Sequence, residues 1–146
     1  MHSSALRTWI LPAVIVCLAL ADGLIHLELD RLIFGGNIFS GRLSELFTLN
    51  FIGYLVLAGL LVVAPRLLGP RQWIADALLG VYVVATIGAW FEFGRQNPMG
   101  IGVLDKSLEI VLLVVIAFHL ALQLKDASNH APDTQAHTAH RPDAPV

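Results

Sequence analysis

Four long apolar blocks, joined by short polar links, constrain the fold of this chain more than any other feature. They lie at about 9–29, 44–64, 72–93 and 103–124. Each block has the roughly 20 residues that a helix needs to cross the hydrocarbon core of a bilayer. A helix also satisfies its own backbone hydrogen bonds, which lipid cannot do. The pattern therefore predicts an all-α protein, a four-helix transmembrane bundle that runs up-down-up-down.

The composition agrees with a membrane protein. Hydrophobic residues make up 56% of the 146-residue chain and charged residues 14%, whereas soluble domains carry about 25% charged residues. The net charge of −2 and the absence of a basic patch exclude a nucleic-acid partner. Cys17 is the single cysteine, so the chain forms no internal disulfide. We expect the lipid bilayer as the main partner, with other membrane proteins or self-association as open alternatives.

The two ends of the chain are assigned outside the bundle. Residues 1–8 form an N-terminal segment, 9–125 the transmembrane domain, and 126–146 a polar tail. We predict that the tail is disordered, because its composition is polar and its apolar periodicity stops. Basic residues are divided almost evenly between the two sides of the membrane. The compact basic link from Arg66 to Arg71 favours both termini in the cytoplasm of a multi-pass cell-membrane protein.

The first block also resembles a secretory signal. Arg7 precedes an apolar run, and Ala19-Leu-Ala resembles a cleavage site. Apolar residues continue well beyond this point, for example at Leu27 and Leu29. We therefore expect an uncleaved first helix, whereas cleavage would leave only three spans.

Ionisable residues near the end of the first block provide the main functional hypothesis. Asp22, His26 and Asp30 are spaced i, i+4 and i+8, so they share one face of a helix. In an antiparallel bundle, Asp22 would lie roughly 10 Å and Glu109 roughly 9 Å below the same bilayer surface, at 1.5 Å per residue. Ionisable groups in a span are costly and usually face a partner, a cavity or an ion. We predict a polar intramembrane site of Asp22, His26 and Glu109.

We predict that further charged residues lie at the mouth of this site. We also predict that hydroxyl and amide side chains line a polar path through the interior of the bundle. Asn50, Tyr54 and Thr86 supply the hydrogen-bonding groups of that path. The alternative interpretation is that the polar groups only hold the helices together, with the outer charges in headgroups and water. The predicted rim residues are Asp30, Glu92, Arg95, Asp105 and Lys106.

The histidines raise two cofactor hypotheses. Asp22, His26 and Glu109 offer ligand types used for zinc, manganese or iron, but no HExxH, ExxH or C-x-x-C spacing supports them. They are weak metal candidates. His26 and His119 differ by ~20 Å in predicted depth, so they cannot flank one haem iron. We predict no cofactor, and the absence of nucleophile and nucleotide motifs favours a protein that is not an enzyme.

Two short runs resemble a pattern in small uncharacterised four-span membrane proteins of bacteria and archaea. They are Gly23-Leu-Ile-His-Leu and Leu46-Phe-Thr-Leu-Asn-Phe-Ile-Gly-Tyr-Leu, which together cover the first two spans. The resemblance implies four helices and no established activity. No catalytic residue can be transferred from it.

Three functions are compatible with the sequence. The first is a structural or accessory component of a membrane assembly, because the chain is small and lacks catalytic motifs. The second is a transporter, or transporter subunit, for protons, cations or a small solute, using Asp22, His26 and Glu109. The third is a membrane oxidoreductase subunit, which would bind a coloured haem or flavin.

Overall fold

The computed structural model describes residues 9–35, 42–92 and 100–129. Within these ranges the chain is helical, apart from short turns, and contains no strand. The fold class predicted from the sequence is confirmed. The predicted N-terminal segment, most of the predicted tail, and Arg95 lie outside the described residues.

Four long helices make up the bundle. Each is long and apolar enough to cross a membrane. Helix α1 packs against α2 and α4, and α3 packs against α2 and α4, as expected for an up-down-up-down bundle. The helices are α1 (Leu11–Phe34), α2 (Arg42–Leu67), α3 (Trp73–Glu92) and α4 (Ile101–Asn129), with a short 3₁₀ turn at Gly69–Arg71 between α2 and α3.

Three of the four helices are longer than the apolar blocks that predicted them, whereas α3 is slightly shorter. Helix α1 continues to Phe34 and ends at Gly35, whose φ of 69° gives the left-handed conformation that closes a helix. Helix α2 includes Pro65 near its end, and α4 includes residues 126–129 of the predicted tail. Apolar content marks the part of a helix that faces lipid, whereas its polar end turns can extend into headgroups and water. Residues 126–129, which the sequence assigned to the tail, are therefore helical.

Two glycines set how closely the helices approach. A Cβ on Gly23 of α1 would lie 3.2 Å from the Cβ of Tyr54, so this position brings α1 against α2. A Cβ on Gly53 of α2 would lie 2.1 Å from the hydroxyl oxygen of Tyr82 on α3. Small residues of this kind allow membrane helices to pack at short range. They place Tyr54 in the interior, where it is fully buried.

Apolar side chains cover the outer surface of the bundle. Val56, Val62, Val81 and Val114 are each more than 60% exposed. In water such a continuous apolar surface would be a liability, but in a bilayer it faces lipid. Apolar side chains thus face outward, and burial of ionisable side chains inside the bundle is not explained by contact with lipid.

Candidate functional site

Four buried ionisable side chains converge between α1 and α4. One ligand atom from each lies within 4.8 Å of the ligand atoms of the other three. The pairs on each helix are spaced i, i+4, so both members lie on one helix face, and the two antiparallel faces meet. We call this group the four-residue site. Its members are Asp22 and His26 from α1, and Asp105 and Glu109 from α4.

Lys106 contributes the cation of this region. Its Nζ lies 2.9 Å from Oδ2 of Asp105 and 2.7 Å from Oε2 of Glu109, and the residue is only 8% exposed. The ammonium therefore bridges two of the three carboxylates. With His26 neutral, the site and Lys106 together carry three carboxylates against one ammonium. This imbalance is the main electrostatic feature of the region.

His26 connects the two helices of the site. Its Nδ1 lies 3.0 Å from the backbone carbonyl oxygen of Asp22 and 3.4 Å from Oδ1 of Asp105. A carbonyl oxygen only accepts, so Nδ1 carries the proton and donates it there. In a neutral imidazole, Nε2 then keeps its lone pair. That nitrogen is available as a proton acceptor or a cation ligand.

Tyr54 and Thr86 connect the site to α2 and α3. The Tyr54 hydroxyl donates to Oε1 of Glu109 at 3.1 Å, and it lies 3.2 Å from Oγ1 of Thr86. The Thr86 hydroxyl donates to the carbonyl oxygen of Val83 at 2.8 Å. Side chains from all four helices therefore surround Glu109, and both hydroxyls belong to the interior path predicted from the sequence.

Asp22 is the least satisfied group of the site. It is fully buried, and neither of its carboxylate oxygens makes a hydrogen bond of good geometry among the described residues, although the Tyr54 hydroxyl and Asp105 lie close to it. Buried polar groups in proteins are almost always hydrogen-bonded, because an unpaired buried charge is costly. An orphaned carboxylate beside two others therefore indicates a place that holds a proton or a cation.

A cavity of about 240 Å³ lies beside the site. Its polar end includes His26, Asp105 and Lys106, so two members of the four-residue site face it. The rest of its wall is mainly apolar and aromatic. All four helices contribute: Leu29 and Ile33 from α1, Leu46, Phe47, Leu49 and Asn50 from α2, Tyr82, Ala85, Thr86, Ala89 and Trp90 from α3, and Gly102 from α4.

The residues predicted at the rim of the site are not all at its rim in the structure. Asp105 is 1% exposed and Lys106 8% exposed, so both belong to the buried centre. Their depth placed both near the bilayer surface, whereas the rotation of α4 turns these side chains inward with Glu109. Asp30 is also buried, and its Oδ1 has no hydrogen-bond partner in the described part of the chain. Glu92 is exposed at the end of α3.

A second polar cluster lies nearer the opposite end of the bundle, where the start of α3 packs against the later part of α4. Nδ1 of His119 lies 2.9 Å from Oδ1 of Asp76, and Nε2 of Gln123 donates to Oδ2 of Asp76 at 2.8 Å. Both oxygens of this carboxylate have partners, unlike those of Asp22. His26 and His119 belong to different clusters, as their predicted depths require. The hydrogen bonds of this Asp76 cluster therefore join α3 to α4.

The four-residue site can hold protons or a cation. Carboxylate oxygens with one imidazole nitrogen form a ligand set that suits divalent metals such as manganese, iron or zinc. The 4.8 Å limit on the separation of the ligand atoms is also compatible with one coordination sphere. A cation bound there would compete with the Lys106 ammonium for Asp105 and Glu109. Comparison of the chain with protein families, curated proteins and solved structures gives no match.

Proposed function

We propose that this multi-pass membrane protein is a transporter, or the transport subunit of a membrane assembly, that takes up protons or a cation at the four-residue site. One observation carries the proposal. Asp22, Asp105 and Glu109 place carboxylate oxygens within 4.8 Å of one another, and Lys106 is the one ammonium that contacts them within the described ranges.

The energetic cost of this arrangement supports a role beyond helix packing. Two carboxylates at 4.8 Å repel by about 3–4 kcal/mol at an effective dielectric constant of about 20. The Lys106 ammonium offsets part of this repulsion, but one charge cannot neutralise three. A proton removes one of the two excess negative charges and a divalent cation removes both, so the fold provides affinity for positive charge at this place. Carboxylates that only joined helices would be expected to have both oxygens hydrogen-bonded, as Asp76 does.

The site is connected to one end of the bundle and separated from the other. The cavity reaches His26 and Asp105, whereas Leu79, Leu112 and Ile116 form a buried apolar layer between Glu109 and the Asp76 cluster. At 1.5 Å per residue, the ten residues from Glu109 to His119 span ~15 Å. Transport therefore requires a second conformation in which this layer opens.

Flux into liposomes tests the proposal. The purified full-length chain is reconstituted, and uptake of protons, sodium, potassium, magnesium, manganese and a labelled organic cation is measured under an imposed gradient. We expect uptake of at least one of these by the wild type, and at least tenfold slower uptake by Asp22→Asn and Glu109→Gln. The matched control is Glu28→Gln, because Glu28 is an exposed acid on α1 that pairs only peripherally, with Arg31 at 3.5 Å.

Two results would contradict the proposal. One is uptake no faster than in empty liposomes for every ion tested. The other is equal uptake by the wild type, Asp22→Asn, Glu109→Gln and the control.

A role as an accessory component is the second candidate. Helix α4 presents exposed Ala117 and Ala121 on its outer surface, four residues apart, with Phe118 beside them. Small residues at this spacing allow a further membrane helix to approach closely. Crosslinking in membranes should then capture a partner through this face, and replacement of both alanines by leucine should abolish the capture. A protein that stays monomeric and uncrosslinked would exclude this role.

A further inference from the structure

We propose that the substrate of the site is a small organic cation with an apolar body, which reaches the site from the bilayer between α2 and α3. This inference rests on the proposed function and names the chemical class that the cavity is built to hold. Three features of the cavity carry it: the charge at its polar end, the chemistry of its walls and the position of its mouth.

The polar end of the cavity favours a positive ligand. Asp105 faces the cavity and is 1% exposed, and the His26 Nδ1 at 3.4 Å approaches its Oδ1 without forming a hydrogen bond of good geometry. Lys106 also faces the cavity, but its ammonium is engaged by two carboxylates. Asp22 adds a further carboxylate directly behind. The net charge beside the cavity is therefore negative, and an anionic ligand would be repelled.

The walls favour an organic cation over a bare inorganic ion. Phe47, Tyr82 and Trp90 line the cavity together with leucine, isoleucine and alanine side chains. Aromatic faces attract organic cations through cation–π interactions, most strongly where water is excluded. A strongly hydrated metal ion would gain little from such walls. A cation with an apolar body fills them, and a cavity of about 240 Å³ limits it to a compact molecule.

The mouth of the cavity faces lipid. Leu46 and Leu49 of α2 line the cavity and are 42% and 59% exposed. Ala85 and Ala89 of α3 also line it and are exposed. Leu49 lies five residues and Ala85 eight residues inside the apolar blocks 44–64 and 72–93, a depth of roughly 8–12 Å. Exposed residues at this depth border hydrocarbon, so a lipid-soluble cation can reach Asp105 without crossing the headgroup layer.

Equilibrium binding of a matched pair of probes tests the inference. The cation is labelled benzyltrimethylammonium, and the control is neopentylbenzene, its neutral carbon isostere. Binding to the full-length protein is measured in phosphatidylcholine nanodiscs, with empty nanodiscs subtracted. We expect saturable binding that unlabelled cation displaces and neopentylbenzene does not. Asp105→Asn should weaken the affinity at least tenfold.

A second pair of variants tests the location without touching a charge. Ala89→Leu fills the cavity wall and should weaken binding about tenfold. Ala13→Leu makes the same change at an exposed position of α1 outside the cavity, and should bind like the wild type. Absence of saturable binding would overturn the inference, as would equal displacement by neopentylbenzene or wild-type affinity in Ala89→Leu.

The failure of this inference can be distinguished from failure of the proposed function. If inorganic cation or proton flux depends on Asp22 and Glu109 but benzyltrimethylammonium does not bind, only the ligand class is wrong. If benzyltrimethylammonium binds at the cavity but no ion and no labelled cation crosses the liposome membrane, the transport role is wrong and the ligand class stands.

Discussion

Replacement of Lys106 by methionine should destabilise the bundle strongly. The Nζ of Lys106 lies 2.9 Å from Asp105 and 2.7 Å from Glu109, and methionine keeps the length and apolar character of the side chain while removing its charge. The variant leaves two buried carboxylates without their ammonium. Breaking a buried ion pair by removing one partner costs about 3–5 kcal/mol. We expect the free energy of unfolding to fall by that amount.

The measurement is unfolding in mixed detergent micelles, followed by circular dichroism as the fraction of dodecyl sulfate rises. The matched control is Lys125→Met, because Lys125 is on the same helix but exposed. An exposed lysine contributes little, so the control should stay within about 0.5 kcal/mol of the wild type.

A second substitution tests the reason for the loss. Adding Glu109→Gln to Lys106→Met removes one of the carboxylates left without a partner. The double variant should therefore be more stable than Lys106→Met alone, with a coupling energy of about 1–3 kcal/mol between the two positions. If Lys106→Met is no less stable than Lys125→Met, or if the two substitutions are additive, the charge balance derived for this site is wrong.

Two further substitutions test the packing around the site by the same unfolding assay. Gly53→Ala puts a Cβ 2.1 Å from the Tyr82 hydroxyl oxygen, so it should lower the free energy of unfolding by about 1–3 kcal/mol. The control Gly59→Ala meets no atom within 4 Å and should not lower the free energy of unfolding. Equal effects of the two substitutions would refute the close approach of α2 and α3. Tyr54→Phe removes the donor to Glu109 at 3.1 Å and should cost about 1.5–3 kcal/mol; an unchanged stability would show that this hydrogen bond is not formed in the membrane protein.

The helices could be predicted from the sequence because apolar length is a strong constraint in a membrane. Their ends could not. Gly35 ends α1 through its left-handed conformation, but the sequence offers several glycines and polar residues nearby as equal alternatives. At the other end of the chain, α4 extends to Asn129 although its last turn is polar. The orientation of the termini and the retention of the first helix stay predictions.

Only some residues of the candidate site could be predicted from the sequence. The spacing of Asp22 and His26 defines one face of α1, and antiparallel packing brings Glu109 to a similar depth. Depth says nothing about how far a helix is rotated, so Asp105 and Lys106 were assigned to the rim although the structure buries both. The i, i+4 spacing does put Asp105 on the same helix face as Glu109, but its shallow depth led to its assignment at the rim. The cavity could not be predicted, because it depends on how four helices pack.

The stability and the ion flux of Asp22→Asn, measured on one preparation, test the central claim most directly. Neither oxygen of Asp22 makes a hydrogen bond of good geometry within the described residues, and Asp105 and Glu109 repel its charge. Removing that charge should therefore leave the free energy of unfolding no lower than in the wild type, within about 0.5 kcal/mol, while proton or cation uptake by liposomes falls at least tenfold. Uptake at the wild-type rate, or a loss of uptake that accompanies a clear loss of stability, would contradict a site that holds positive charge for transport.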